Sequence, residues 1–596
     1  MIRALKLFPA FALIAVFLSS CGLGKMVKNY PQVKYQAQPE VLETHGGQIA
    51  VKVDGTIPEK YFHKKAVVEI TPYLEFEGGT KELGKTVLKG EKAAGDGKVI
   101  SKKTGGSFSW SETFAYDPKY NASDLKLKAT ATLGKEPLTL GILKIGDGVI
   151  YTSTRTVNDE DLLVADRSTA QKLGMDLGEY YEKETIVKES GDIYFVVNKD
   201  DLNFRYELNR TDAAKAGLEE LKAFMDKEWK LKDITVNAWA SPEGEESLNQ
   251  GLSERRSQSA RKYVEEYYKA WQKTKARALK VRPNKVEMPE VNYVLNARGE
   301  DWDGFLGSVE KSGIKDKNVI LNVVRSQKDL KQREQEIRNM TVIYKEIEDA
   351  ILPPLRRAEI TVSCYEPKRT DQEIAMLSTS APDSLDLKEL IYAATLTQDM
   401  GTKLAIYKAA ARLYPSDWKP YANIGYVELA NGNLDEAGNN LDKANTLSPN
   451  NPIVLNNLGA LAAKKGDDAA AKSFYSQAKG KGVDVSYNSG ILQIKDGNYS
   501  GALTSFGNKT CNYNVALAQV LSSKLTEAAK NLECAPQNAE VFYLLAVVSA
   551  RQNNAAKVNE YLRKAIAADG AYKAQAAADR EFLKYFSSAD FQAVVK

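Results

Sequence analysis

Two stretches near the C-terminus carry the same pattern: GYVELANGNLDEAGNNLDKA at residues 425–444 and GALAAKKGDDAAAKSFYSQA at residues 459–478. Four pairs of matching positions are separated by 34 residues: Gly425 and Gly459, Ala437 and Ala471, Leu441 and Tyr475, and Ala444 and Ala478. A turn sequence centred on Gly432 in one copy and on Gly466 in the other divides each stretch in two. A fixed period of this length predicts stacked copies of one two-helix unit.

This pattern resembles the tetratricopeptide repeat, in which small residues let two antiparallel helices approach closely and large residues fill the gaps. Weaker copies follow around Gly490, Phe506 and Ala546. The resemblance implies an all-α tetratricopeptide solenoid over residues 387–596. A stretch rich in small and polar residues at 367–386 precedes it and is predicted to be an interdomain linker.

The resemblance also implies a concave groove that binds an extended peptide or a helix of a protein partner. Four asparagines fall on or near the first helix of successive units, the helix that lines such a groove: Asn423, Asn456, Asn457 and Asn488. Their amides can both donate to and accept from a peptide backbone. The alternative is that these side chains only face solvent.

Cys511 and Cys534 lie within one of the weak repeats. In an oxidising periplasm they are candidates for a disulfide, which would stabilise the fold by roughly 3 kcal/mol through the loop that it closes. The alternative is a pair of buried thiols. Cys364 has no evident partner in the sequence.

The middle of the chain alternates strands and helices. Residues 192–198 and 233–240 have strand patterns, and residues 213–232 between them have apolar residues at helical spacing. The segment NQGLSERRSQS follows at 249–259, and RRAEITV at 356–362 is predicted to be a closing strand. This order, with the N-x-x-L-S-x-R-R helix and the R-R-x-E-I strand, resembles the peptidoglycan-associating domain of the OmpA family. The resemblance implies a β-α-β-α-β domain over residues 185–366, enlarged by charged helical insertions.

In that family an Asp and an Arg bind the diaminopimelate side chain of the peptidoglycan stem peptide. The matching Arg is Arg256, whose guanidinium could bind a carboxylate through two parallel hydrogen bonds. Asn249 matches an Asn near the pocket, whereas Ser241 stands where the family has its Asp, so Glu243 or Glu245 would have to supply the charge. The alternative is that Arg256 only caps groups of its own scaffold and that the domain is an interaction fold.

The N-terminus has the features of an export signal. Arg3 and Lys6 precede an apolar stretch at 7–18, which is too short to cross about 30 Å of hydrocarbon as a helix. Leu18-Ser19-Ser20-Cys21 then resembles a bacterial lipobox, which implies removal of residues 1–20 and lipidation of Cys21. Gly22 follows the cysteine, and by resemblance to the sorting rules of Gram-negative lipoproteins the lack of Asp at this position implies the outer membrane. We expect the chain to face the periplasm. The alternative is an ordinary secretory signal with a chance cysteine. Residues 21–44 are predicted to be a tether.

Residues 45–165 alternate between apolar and polar, with glycine-containing turns between the alternating segments. Leu125, Leu127 and Ala129 exemplify the period of two that is typical of half-buried strands. This region is predicted to be an antiparallel β-sandwich that serves as a spacer or a protein-binding module.

The composition disfavours several classes of function. The 596 residues contain only two histidines, His45 and His63, and no closely spaced cysteine pair, so histidine-dependent catalysis and zinc sites are not expected. A net charge of +4 gives no reason to expect a nucleic-acid partner. We therefore expect a protein that is not an enzyme and that needs no cofactor or metal.

The sequence as a whole predicts a lipid-anchored envelope scaffold, attached to the outer membrane through Cys21. Its OmpA-like domain would contact peptidoglycan, and its repeats would bind a protein partner. The alternative is an accessory subunit of a secretion or surface-fibre assembly machine, in which the OmpA-like domain no longer binds the cell wall.

Overall fold

A computed structural model describes residues 21–134 and 137–596 of the chain. These form two compact units: unit 1 contains the chain up to Glu179 together with Ala381–Lys596, and unit 2 contains Tyr180–Ser380. The predicted signal peptide at residues 1–20 lies outside the described residues. Among the helices described, none has the length and apolar character to cross a membrane.

The N-terminal part of unit 1 is a β-rich module over residues 21–150, here called the β-module. Its elements are α1 Cys21–Lys28, β1 Lys34–Gln38, β2 Val41–His45, β3 Gln48–Ile57, β4 Val67–Phe76, β5 Gly79–Glu82, β6 Thr86–Gly90, β7 Lys98–Ile100, β8 Gly106–Ala115, β9 Ser123–Thr132 and β10 Pro137–Ile150. The strands pair in the order β1-β3-β2-β10-β9-β4-β6-β7, with β5 beside β4 and β8 beside β3. Most pairs are antiparallel, but β2 with β10 and β6 with β7 are parallel, which differs from the expected all-antiparallel arrangement.

The predicted tether at residues 21–44 is wrong, because this segment is folded into the β-module. Leu23 and Met26 of α1 are buried in the core, as are Tyr30 and Val33 just before β1. Tyr30 packs so closely on β10 that a Cβ on Gly141 would lie 2.5 Å from its ring. The sequence of this segment suggests a tether because it is short and begins with basic residues. Its apolar residues nevertheless pack into the core of the β-module, which the sequence does not reveal.

Unit 2 is a two-layer α/β domain. In the chain, α2 Arg167–Lys172 of unit 1 comes before this domain. The sheet and its two long helices are β11 Ile186–Tyr194, α3 Asp212–Met225, β12 Leu231–Ala240, α4 Glu246–Ala278, β13 Tyr293–Glu300 and β14 Arg357–Tyr365. The four strands are ordered β11-β14-β12-β13, and only the β12–β13 pair is parallel. Residues of one sheet face, including Ile193, Val236 and Ile360, share a core with Leu221 of α3 and Val264 of α4.

Between β13 and β14 lies a helical insertion with a core of its own. It contains α5 Trp302–Lys311, α6 Lys317–Ser326, α7 Leu330–Asn339, α8 Thr341–Glu346 and α9 Leu352–Leu355. Phe305, Val309 and Ile320 are buried within it. The predicted linker at 367–386 is also wrong in large part, because α10 Asp371–Ser380 lies there and buries Ile374.

The C-terminal part of unit 1 is a solenoid of helix pairs, here called the repeat array. Its helices are α11 Leu387–Ala393, α12 Met400–Leu413, α13 Trp418–Ala430, α14 Leu434–Leu447, α15 Pro452–Lys464, α16 Asp468–Lys479, α17 Ser486–Lys495, α18 Tyr499–Phe506, α19 Tyr513–Leu521, α20 Leu525–Cys534, α21 Ala539–Arg551, α22 Ala555–Ala568, α23 Ala571–Ala578 and α24 Ala589–Val595. Six successive pairs run from α11 with α12 to α21 with α22. The starts of α13, α15 and α17 are 34 residues apart, as the sequence period predicts, whereas α19 and α21 follow after 27 and 26 residues.

The repeating glycines lie where the two helices of a pair are closest. A Cβ on Gly459 would lie 2.5 Å from the ring of Tyr475, and one on Gly490 would lie 2.4 Å from the ring of Phe506. The small and large residues that share a period are therefore packing partners across each pair.

This packing predicts opposite effects for two glycine substitutions. Gly459→Ala should lower the free energy of unfolding by about 1–3 kcal/mol, because the new methyl group overlaps the buried ring of Tyr475. Gly438→Ala is the matched control: its Cβ would meet Leu461 at an ordinary 3.5 Å. That change should raise stability by about 0.5–1 kcal/mol through the lower entropy of the unfolded chain. Thermal unfolding of the two variants measures both effects, and equal shifts would contradict the packing argument.

Candidate peptide-binding groove

The first helices of the repeat pairs, which are predicted to line the groove, are covered by a segment of the same chain. Residues 151–179, here called the strap, leave the β-module after β10 and run along the first helices of the pairs before entering unit 2. The strap is extended between residues 155 and 165, and the short helix α2 follows at Arg167–Lys172. All contacts of the strap described below lie within unit 1.

Asparagine side chains bind the strap through its main chain. Each of four amides accepts from the N–H and donates to the C=O of one strap residue, so each makes a pair of hydrogen bonds. The pairs, with their N–H and C=O distances, are Asn423 with Ala165 at 2.6 and 3.2 Å, Asn457 with Leu163 at 2.9 and 2.7 Å, Asn488 with Asp161 at 2.7 and 3.0 Å, and Asn514 with Val157 at 3.0 and 2.9 Å. The strap therefore runs opposite to the order of the repeats.

Acidic side chains of the strap meet donors of the groove. Asp159 accepts from the hydroxyl of Tyr487 at 2.6 Å, and burial together with this carboxylate raises the pKa of Tyr487. Glu160, whose side chain is 1% exposed, forms an ion pair with Lys464 at 3.0 Å. Asp161 lies 3.3 Å from Lys509. The groove thus favours an extended and acidic segment.

The N-terminal end of the strap is held by buried charges. Arg155 donates to Asp579 at 2.5 Å, and its guanidinium lies over the rings of Tyr151 and Tyr543 at 4.5 and 4.7 Å. Thr152 donates to Glu581 at 2.6 Å. These contacts fix the strap against the last helices of the array.

Apolar strap residues complete the interface. Ala165 is fully buried in the core that the α13, α14 and α15 helices share, and Leu163, Leu173 and Met175 pack against that core. The groove is consequently occupied along its length by main-chain hydrogen bonds, ion pairs and apolar contacts from one internal ligand.

The structure brings all four sequence-predicted groove residues to the strap. Asn456 joins the other three by donating to the carbonyl of Asp161 at 2.9 Å. Their partner is the chain itself, which the sequence did not indicate. Asn514 was missed, although the spacing Asn-x-small recurs at Asn423-Ile424-Gly425, Asn457-Leu458-Gly459, Asn488-Ser489-Gly490 and Asn514-Val515-Ala516.

The predicted peptidoglycan site is closed by contacts within unit 2. Arg256 is fully buried, and its three guanidinium nitrogens donate to the carbonyls of Val196, Lys199 and Trp239 at 2.9–3.2 Å. Burial and the neighbouring Arg356 lower the pKa of Arg256 to about 10. The role predicted for Arg256 as a carboxylate ligand is therefore not what the structure shows; its guanidinium caps the scaffold.

Ser241, Glu243 and Asn249 do lie together, but Arg356 occupies the polar side-chain atoms of Ser241 and Glu243. The Nη2 of Arg356 is 2.7 Å from Glu243, and its Nε donates to Ser241 at 3.1 Å. Asn249 donates to Glu300 at 2.8 Å and to the carbonyl of Glu243 at 3.1 Å. Ser241 is thus part of an internal arginine site.

The cysteines take three different places. Cys511 and Cys534 form a disulfide between the start of one helix pair and the end of its second helix. Cys364 is a buried free thiol on β14, and burial raises its pKa. Cys21 is the first residue of α1.

Comparison with known proteins assigns no family to the chain: no protein-family model and no curated protein matches it. Solved structures with helical repeats are similar in part. PilW, a type IV pilus biogenesis factor, is 15% identical, with 39% of this chain and 100% of that chain covered and a TM-score of 0.26. A tetratricopeptide repeat protein from Parabacteroides merdae is 12% identical, with 44% and 96% covered and a TM-score of 0.27. YrrB, a repeat protein with an unusual peptide-binding site, is 22% identical, with 33% and 94% covered and a TM-score of 0.20. The N-terminal β-rich region and the C-terminal region of successive helix pairs are shown by the chain's own elements.

Proposed function

We propose that this protein is a non-enzymatic outer-membrane lipoprotein that serves as a scaffold of the cell envelope through protein–protein contacts. One observation carries the proposal: the repeat array holds an extended polypeptide by its main chain, through paired hydrogen bonds from four asparagines. A groove that forms hydrogen bonds with main-chain groups is suited to binding a polypeptide, because every polypeptide carries those groups.

In this chain the bound polypeptide is the strap, so the groove attaches a segment of the same chain to the repeat array. Further contacts join the β-module to the array: His45 lies 2.7 Å from the hydroxyl of Tyr499, and Arg551 lies 2.8 Å from Glu43. The β-module, which would carry the lipid at Cys21, and the repeats are thereby held as one body. This supports a scaffold that presents a fixed surface near the membrane.

We expect protein partners to bind outside the filled groove, which revises the sequence-based expectation. The strap is attached to folded chain at both ends, so its effective concentration at the groove is high and a free peptide competes poorly. The exposed faces of the array and of unit 2 are then the surfaces available to partners.

Within this proposal, the internal arginine site of unit 2 favours an accessory subunit of a secretion or surface-fibre assembly machine. A wall tether would need groups in the pocket that can bind diaminopimelate. Arg256 and Arg356 instead donate to acceptors of their own domain. The OmpA-like resemblance would then reflect a shared scaffold without the family's ligand.

Sedimentation with insoluble peptidoglycan separates the two roles. The purified full chain should stay in the supernatant, because the pocket's polar groups are already paired. A control protein with a functional peptidoglycan-binding domain should pellet in the same tube. If the chain pellets and a soluble stem peptide containing diaminopimelate releases it, the wall-tether function would replace the accessory role. Labelling of cells with palmitate, beside Cys21→Ser, tests the lipid anchor separately.

A further inference from the structure

One end of the β-module carries a concentration of lysines. They lie on three connections: residues 58–66 between β3 and β4, residues 91–97 between β6 and β7, and residues 101–105 between β7 and β8. The exposed lysines of these connections, here called the lysine loops, are Lys60, Lys64, Lys65, Lys92, Lys102 and Lys103.

Backbone hydrogen bonds show that the lysine loops are neighbours. The N–H of Lys60 donates to the carbonyl of Lys102 at 2.7 Å, and the N–H of Lys92 donates to the carbonyl of Lys64 at 2.7 Å. The first bond joins the first and third connections, and the second bond joins the first and second. The six side chains therefore belong to one surface.

Helix α1 begins at the same surface. The ring of His63 lies 3.0 Å from the position that a Cβ on Gly22 would take. Leu23 and Met26 are buried in the core, so α1 is fixed at this place. Cys21, the residue proposed to be lipidated, directly precedes Gly22 and has no length of free chain between it and the lysine loops.

The surface is strongly positive in a protein that is nearly neutral overall. Its three connections contain six lysines against three acidic residues, Glu59, Glu91 and Asp96. Lys60 pairs with Glu59 at 3.2 Å. Among the residues that the structure describes, the other five lysines form no ion pair. Their charge is free to attract an anionic surface over the Debye length of about 10 Å at 0.1 M salt.

We propose that the lysine loops bind anionic phospholipid headgroups and hold the β-module flat against the membrane beside the lipid anchor. The inference rests on the proposed lipidation of Cys21 for its setting. An acyl chain and a basic patch act together at membranes, each adding to the other's affinity. The patch would fix the orientation of the protein, which a lipid on a flexible tether cannot do.

The test uses full-length Cys21→Ser protein without lipid, mixed with sucrose-loaded vesicles. Vesicles of 30% phosphatidylglycerol in phosphatidylcholine should pellet the protein at about 0.05 M salt, and about 0.5 M salt should release it. Vesicles of phosphatidylcholine alone should leave it in solution. Charge reversal in the quadruple variant Lys64→Glu, Lys65→Glu, Lys102→Glu and Lys103→Glu should weaken partition by a factor of at least about 10.

A matched variant controls for net charge. Lys479→Glu, Lys481→Glu, Lys524→Glu and Lys557→Glu change four exposed lysines of the repeat array. They should leave partition within about twofold, because those side chains do not belong to the lysine loops. Circular dichroism checks that both variants fold. Equal loss in the two variants, or equal binding to neutral vesicles, would overturn the proposal. Because this protein carries no lipid, the result is independent of the palmitate labelling that tests the anchor.

Discussion

Arg155→Met is expected to lower the free energy of unfolding by about 3–5 kcal/mol at neutral pH, because it leaves the carboxylate of Asp579 buried without its cation. The side chain of Asp579 is 0% exposed and that of Arg155 is 10% exposed. Tyr543 still donates to Asp579 at 2.7 Å, but a neutral donor does not compensate a buried charge. Calorimetric melting of the full chain measures the loss.

The loss should depend on pH in a definite direction. Burial already raises the pKa of Asp579, and Arg155 opposes that shift. Without Arg155 the pKa in the folded state rises further above the unfolded value of about 3.9. The destabilisation is therefore smallest below about pH 3, where the carboxyl group is protonated in both the folded and the unfolded chain, and it grows as the pH rises through the folded-state pKa.

The double variant Arg155→Met with Asp579→Asn is the control for this argument. Removing the charge together with its partner should recover more than half of the lost stability and abolish the pH dependence. A deficit that stays constant from pH 4 to neutral pH, or a double variant no better than the single one, would show that packing rather than charge holds the strap end.

Asn457→Ala is expected to release the centre of the strap and to cost about 2–4 kcal/mol, since it leaves both backbone groups of Leu163 without their partner. The amide of Asn457 is fully buried and bonds Leu163 at 2.9 and 2.7 Å. Hydrogen exchange of a peptic peptide covering residues 155–166 should become at least about tenfold faster, which corresponds to a local loss near 1.4 kcal/mol or more.

Asn439→Ala provides the comparison, because Asn439 is an exposed asparagine on α14 of the same helix pair as Asn423. Its exchange profile and melting temperature should match those of the unchanged chain. If the strap amides remain protected from exchange in Asn457→Ala, apolar contacts alone hold the segment. The asparagine hydrogen bonds would then not be what keeps the strap in the groove.

The helical repeats could be predicted from the sequence because their cause is local. Gly459 and Tyr475 sit at fixed positions of a 34-residue period, and each pair packs against itself before it meets its neighbours. The strands of unit 2 were likewise indicated by alternation, and the bounds of β12 at Leu231–Ala240 agree closely with the predicted 233–240. Asparagines that bind backbone were also found from their place on the groove helices.

The groove's ligand could not be predicted, because residues 155–165 have no periodicity of their own and their order comes from partners more than 250 residues away in the chain. The helix α1 could not be predicted either, because it has too few apolar residues to show a helical pattern. Its buried face is fixed by packing against the core of the β-module. For Arg256 the motif could be found in the sequence, but its partners could not. Only the folded domain shows that its guanidinium donates to three main-chain carbonyls.

The helix pairs, the strand alternation and the residue types that line the groove can be predicted from the sequence, because each depends on neighbours in the chain. Only the folded chain shows which segment fills that groove, which face the N-terminal helix buries and whether the arginines of unit 2 can reach a ligand. The physical reason is that hydrogen-bonding groups and charges are satisfied by whichever partner the folded chain brings within about 3 Å, and that partner need not be near in sequence.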